Sequence, residues 1–124
     1  VLNVTRINGG PHGGGITELF KVNGQSGITY AREIMVDLNV SWPDYVFEKG
    51  YELMSIDSVA EFIGAHGHLP GIPSAEEMEA NGVNVAENDA LLMEKLEEMM
   101  LYIIELKQEN NELRKEIEAL KVQE

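Results

Sequence analysis

The feature that most constrains this chain is its final stretch, residues 85–122, which contains neither proline nor glycine. From residue 92 onward its apolar side chains recur in alternating steps of four and three. This spacing is the a/d heptad register of a coiled coil, whereas a helix docked on its own domain shows a wider stripe with a period of 3.6 residues. We therefore predict one helix over 84–124 and a coiled coil from about residue 92. The oligomerisation core would consist of Leu92, Leu96, Met99, Ile103, Leu106, Asn110, Leu113, Ile117 and Leu120.

Residues beside and within this stripe indicate how the helices would align. In a parallel coil, a g residue faces the e residue five positions later on its neighbour. Glu109 then meets Arg114 and Glu116 meets Lys121, so both interchain ion pairs attract. Asn110 is the one polar residue of the stripe; a buried amide at an a position penalises shifted registers, and this role is favoured over that of a slightly weak core position. The pattern predicts a parallel homo-oligomer and is compatible with both a dimer and a trimer.

The charge of the chain disfavours several classes of partner. Among 124 residues, 22 are Asp or Glu and 9 are Lys or Arg, which gives a formal net charge of −13. An acidic chain repels phosphate backbones and anionic lipid headgroups, so we expect no nucleic-acid partner. No apolar run approaches the ~18 residues that a membrane span needs, so we also expect no membrane insertion. The absence of cysteine removes disulfides, thiolate metal sites and cysteine nucleophiles. The chain begins at Val1, and we expect it to be part of a longer protein.

The first 40 residues carry turn and strand signals. Seven of the twelve glycines lie in 1–27, together with Asn-Gly pairs at 8–9 and 23–24 that are typical of hairpin turns. A flexible linker and the end of a β-rich fibre shaft both fit this segment. Residues 28–40 alternate apolar and polar side chains, which predicts a long strand with one face in a core. We assign 1–40 as a β-rich shaft end.

Residues 41–83 form the middle of the predicted architecture. Trp42, Tyr45 and Phe47 lie within six residues and are expected to anchor this region. A helix over about 56–65 would follow, and a second short helix would precede residue 84. The sequence therefore predicts an elongated α+β fold with three parts: 1–40, 41–83 and the long helix 84–124.

The ends of the two short helices are marked by local signals. Ser55 is a favourable N-cap for the first helix, and Gly67 can end it. The sequence from Ser74 to Glu77 has the spacing of a capping box, and Gly82 can end the second helix. Between them, two prolines in 68–74 exclude regular structure and predict a turn.

Candidate catalytic or metal-binding groups are few. His66 and His68 lie on one loop and could bind a transition metal in an oligomer. The more favoured interpretation places His66 at the negative end of its helix and gives His68 a local hydrogen bond. No serine has a recognisable nucleophile context, and no phosphate-binding loop is present. We expect neither a cofactor nor an enzymatic activity.

Several blocks of the sequence resemble a C-terminal module found at the ends of phage-like tail fibres and related surface proteins, mostly of Bacteroidetes and their phages. The two most specific blocks are 42–47 (WPDYVF) and 68–74 (HLPGIPS). Their order and spacing are also similar. Further matching blocks are 22–24 (VNG), 31–34 (AREI) with Val36, 51–53 (YEL), 82–85 (GVNV) and 91–98 (LLMEKLEE) into 101–102 (LY).

The wider relatives of that module are endosialidase-type intramolecular chaperone domains. The resemblance implies a homotrimer that helps a fibre shaft to fold, in a virion tail or at a cell surface. Self-cleaving members carry a Ser-Asp followed by basic residues; here 41–45 read SWPDY and the first basic residue after Ser41 is Lys49, so we expect no self-cleavage. Ser41 would be the nucleophile of the self-processing alternative.

A receptor-binding tip that recognises a cell-surface glycan or protein is the alternative function. Its contact surfaces would be the glycine-rich start of the chain and the loop 68–74. Binding by such a tip should survive removal of 106–124, whereas a trimerisation and folding module depends on the a/d stripe.

Overall fold

The computed structural model describes residues 20–37 and 40–122. In chain order the elements are strand β1 (Phe20–Val22), strand β2 (Thr29–Ala31), a 3-10 helix (Pro43–Phe47), and helices α1 (Ile56–His66), α2 (Ala75–Asn81) and α3 (Val85–Val122). The chain forms two compact units that divide after Val36. The first contains the two strands and the second contains all the helices.

The strands form an antiparallel hairpin in which Phe20 pairs with Ala31 and Val22 with Thr29. The predicted turn at 23–24 is present. The Asn23 side-chain oxygen accepts hydrogen bonds from the backbone N–H groups of residues 25 and 26, at 3.0 and 3.1 Å. Gly27 closes the turn with a φ of 71°, a conformation that glycine adopts without strain. The other Asn-Gly pair, at 8–9, lies outside the described residues.

The prediction of one long strand over 28–40 is wrong for the residues that the structure describes. The strand ends at Ala31, and residues 32–37 are not strand. The described pairing with β1 covers only Thr29–Ala31, and alternation by itself does not extend a strand beyond its pairing. Alternation identifies residues that could line a sheet face, but a strand exists only where a neighbouring strand satisfies its backbone groups.

The first two helices begin and end where the sequence predicts. The Ser55 side chain accepts from the backbone N–H of Ser58, and Gly67 ends α1 in a left-handed conformation. In α2 the reciprocal capping box between Ser74 and Glu77 is complete. The hydrogen bonds from the Ser74 backbone and hydroxyl lower the pKa of the Glu77 carboxyl.

The long helix is also confirmed, from Val85 to Val122. Its N-terminus is capped by the Asn84 side-chain oxygen, which accepts from the backbone N–H of Glu87 at 3.3 Å. Among the described residues, no helix is long and apolar enough to cross a membrane.

The core of the second unit is small and lies where the 3-10 helix meets α3. Val46 and Ala86 are its buried hydrophobic side chains, and Pro43 is buried beside Val46. The predicted aromatic anchor lies in the segment that forms this core, but its three aromatic side chains are not the buried ones. Trp42, Tyr45 and Phe47 are 41%, 37% and 55% exposed. A 3-10 helix has three residues per turn, so positions 43 and 46 share the inward face instead.

Candidate oligomerisation surface

One side of α3 is held by tyrosines from the middle region. The Tyr51 hydroxyl donates to Oε1 of Glu98 at 2.6 Å, and the Tyr45 hydroxyl donates to Glu94. Further along, the Tyr102 hydroxyl donates to the backbone oxygen of residue 54 at 2.6 Å. In the heptad, Glu94 is at an f position, Glu98 is at a c position and Tyr102 is at a g position. The helix therefore packs on its own chain through positions outside the a/d stripe.

Charges on this packed side are organised around one lysine. Lys95 Nζ lies 2.9 Å from Oε1 of Glu94 and 2.8 Å from Oε2 of Glu98. Burial opposes the charge of Lys95, but its bonds to the two carboxylates raise its pKa. Burial likewise opposes the charge of Glu94, and hydrogen bonds from Tyr45 and Lys95 lower the pKa of that carboxyl. Burial and the bond to Glu98 raise the pKa of the Tyr51 hydroxyl, so it stays a donor at neutral pH.

Glu97 is the exception on this side. Its side chain is buried at 8% exposure, and its Oε2 atom has no hydrogen-bond partner. Burial and the nearby charge of Asp44 raise the pKa of its carboxyl. A buried carboxylate oxygen without a hydrogen-bond partner is unfavourable, so Glu97 opposes the stability of this packed side when it is charged.

The a/d stripe is exposed along its whole length. Its apolar members are 52–65% exposed from Leu92 to Leu120. Asn110 is exposed as well, and its side-chain oxygen accepts from Nε of Arg114 at 3.1 Å. The other three residues of the predicted interchain pairs, Glu109, Glu116 and Lys121, are exposed. The middle region contacts α3 as far as Tyr102, and every described residue beyond it is exposed.

The two histidines make local contacts. Nδ1 of His66 donates to the backbone oxygen of Phe62 at 3.0 Å, and its ring stacks on the Phe62 ring at 4.1 Å. Nδ1 of His68 donates to the backbone oxygen of Leu69 at 3.1 Å. Within 20–37 and 40–122, no group of three or more potential ligands is placed to hold a metal ion.

The tyrosine contacts were not identified in the sequence. Each joins residues 47–49 positions apart, and no fixed spacing marks such a pair. The stripe, by contrast, is visible in the sequence because its spacing is periodic.

No protein-family model, curated protein or solved structure matches this chain.

Proposed function

We propose that this chain is a structural trimerisation and folding module at the C-terminal end of a phage-like tail fibre or surface adhesin. The partner is the chain itself, in a parallel homotrimer held by the a/d stripe. The resemblance of blocks 42–47 and 68–74 to such modules supports the class of protein. The single observation that carries the proposal is that α3 packs on its own chain with its b, c, f and g positions and leaves the stripe exposed.

The exposed stripe argues against a helix that serves only its own domain. Eight large apolar side chains in one line remain about half exposed, and such continuous patches mark interaction surfaces. Covering the remaining half of each side chain would contribute on the order of 1 kcal/mol per residue. A parallel copy offers a complementary surface in the same register, with attractive pairs Glu109–Arg114 and Glu116–Lys121.

The C-terminal part of α3, residues 103–122, also needs a partner for its own stability. Residues 103–122 are all exposed and are stabilised by no packing within the described chain. In proteins most of the stability of a helix comes from the packing of its amphipathic face. Association of copies through the stripe supplies the missing packing.

The same geometry accounts for a role in folding. Helical contacts form locally and fast, whereas strands that pair over long distances form slowly. The β1–β2 hairpin, with three-residue strands, is marginal by itself. A coil that first fixes the number and register of chains would let β segments pair between already aligned copies, in a virion tail or at a cell surface.

The test is a double substitution in the stripe, Ile103→Asp with Leu106→Asp. The matched control, Gln108→Asp with Asn111→Asp, adds the same two charges at f and b positions outside the stripe. We expect the stripe variant to be monomeric and the control trimeric, both measured by sedimentation equilibrium. Refolding from denaturant should depend on protein concentration only in the control. A stripe variant that assembles and refolds like the control would refute the proposal.

A further inference from the structure

Beside the a/d stripe, α3 and α1 enclose an apolar groove of about 370 Å³. Met54, Ile56, Ile63 and Leu69 line it from the middle region, and Met99 lines it from α3. These four middle-region side chains are 41–53% exposed, and α1 has no buried residue. The helix α1 therefore presents an apolar face that its own chain leaves half covered.

The groove adjoins one defined flank of the stripe. On α3 its lining includes Met99 at a d position, with Lys95 and Tyr102 at g positions. Met99 thus belongs to both the stripe and the groove. A partner helix that packs along the stripe necessarily lies beside the groove on its g side.

The opposite flank of the stripe carries an apolar residue that the groove suits. Met100, at an e position, is 46% exposed. The e positions further along α3 are Lys107, Arg114 and Lys121, which are charged as expected for a solvated flank of a coil. The apolar e position, Met100, therefore lies in the part of α3 that lines the groove. The charged e positions lie further toward the C-terminus, where α3 does not line it.

We infer that Met100 of one copy inserts into the α1–α3 groove of the next copy around the trimer axis. In a parallel coil, Lys95 at g faces the e residue five positions later on its neighbour, which is Met100. That places the Met100 side chain at the mouth of the groove, beside Met99. Its flexible thioether chain is well suited to fill an irregular apolar space. The inference rests on the proposed parallel coil and adds α1 to the interface.

The contact is heterologous, which is the type of contact that can close a ring of identical chains. The donor flank (e) and the acceptor flank (g with α1) are different surfaces of the same chain, so each copy gives one knob and receives one. This arrangement would also cover more of the apolar face of α1, which the single chain leaves half covered. The part of the coil around residues 95–102 would then be surrounded by three copies of α1.

The test is crosslinking between copies, because the natural chain contains no cysteine and each variant then has a single thiol. Chains with Met100→Cys and chains with Ile63→Cys, carrying tags of different mass, are co-expressed and treated with a short bis-maleimide. Ile63 lines the groove, whereas Glu61 lies on the other side of α1, so Glu61→Cys is the matched control. We expect several-fold more mixed dimer with Ile63→Cys than with Glu61→Cys.

A second variant separates this inference from the proposed function. Ile103→Cys alone should link to itself, because a positions of parallel copies meet at the axis. If Ile103→Cys links but Met100→Cys joins Ile63→Cys no better than Glu61→Cys, the groove contact is wrong and the coil stands. If Ile103→Cys fails to link, the parallel coil itself is wrong. Circular dichroism of each variant verifies that the helix is retained.

Discussion

Truncation of Leu113 to alanine distinguishes a helix that stands alone from one that is packed in a coil. Leu113 is a d residue in the lower part of α3, and its side chain is 57% exposed in the single chain. If no other copy covers it, Leu113→Ala removes only exposed surface. Alanine is the best helix former, so the helix would then be unchanged or stabilised by a few tenths of a kcal/mol.

In a coil the same truncation is destabilising, and its size follows from the exposure. Complete burial of a leucine side chain contributes about 1.5–3 kcal/mol. The fraction still exposed in the single chain, 57%, corresponds to about 1–1.5 kcal/mol gained per chain on assembly. Three chains lose about 3–5 kcal/mol together, which weakens the trimer by about two to four orders of magnitude in its dissociation constant.

The assay combines thermal unfolding, followed by the helical circular dichroism signal, with sedimentation equilibrium at several concentrations. Glu112→Ala is the matched control, because it changes the neighbouring c position on the outside of the coil. We expect Leu113→Ala to lower the unfolding midpoint and to dissociate at concentrations where the control remains assembled. Equal behaviour of the two variants would refute the assignment of Leu113 to a buried seam.

Three further substitutions test other parts of the account. Asn110→Ile should raise the unfolding midpoint and broaden the distribution of oligomers in sedimentation velocity, because it removes the polar group that penalises shifted registers; a lower midpoint would contradict this role. Tyr51→Phe should cost about 1 kcal/mol in denaturant unfolding, because the bond to Glu98 is lost; no change would show that the bond contributes nothing. Glu97→Gln should stabilise the fold at neutral pH, with the gain shrinking on acidification.

The pH dependence at Glu97 follows from the direction of its shift. Burial and Asp44 raise the pKa of this carboxyl above its ordinary value of 4.5, so the folded state favours the protonated form. That stabilisation is complete below the pKa of Glu97 in the unfolded state and is lost as the pH rises through its pKa in the folded state. Glu94 acts in the opposite direction: its pKa is lowered, so its contribution is present above the unfolded value and is lost on acidification. Glu97→Gln should therefore remove only the part of the free energy of unfolding that decreases as the pH rises.

The elements that the sequence predicts correctly depend on local signals. Ser55, Ser74 and Asn84 each cap a helix through a hydrogen bond to a residue three positions on, and such a bond requires no knowledge of the fold. The length of α3 follows in the same way from an uninterrupted run of helix-forming residues.

The elements that it predicts incorrectly depend on distant partners. The strand ends at Ala31 because pairing, rather than alternation, determines how far a strand extends. Val46 replaces the neighbouring aromatics in the core because a 3-10 turn, rather than residue size, decides which side chains point inward. The tyrosine contacts to Glu94 and Glu98 join residues nearly 50 positions apart, which no local pattern encodes.

The central claim, that copies of this chain associate through the a/d stripe, is tested most directly by the absolute mass in solution. Light scattering after size exclusion should be measured over a wide concentration range. The account predicts a constant mass of three 13.8-kDa chains. A mass of two chains would contradict the trimer while keeping the coil, and a mass of one chain at all concentrations would contradict the claim itself.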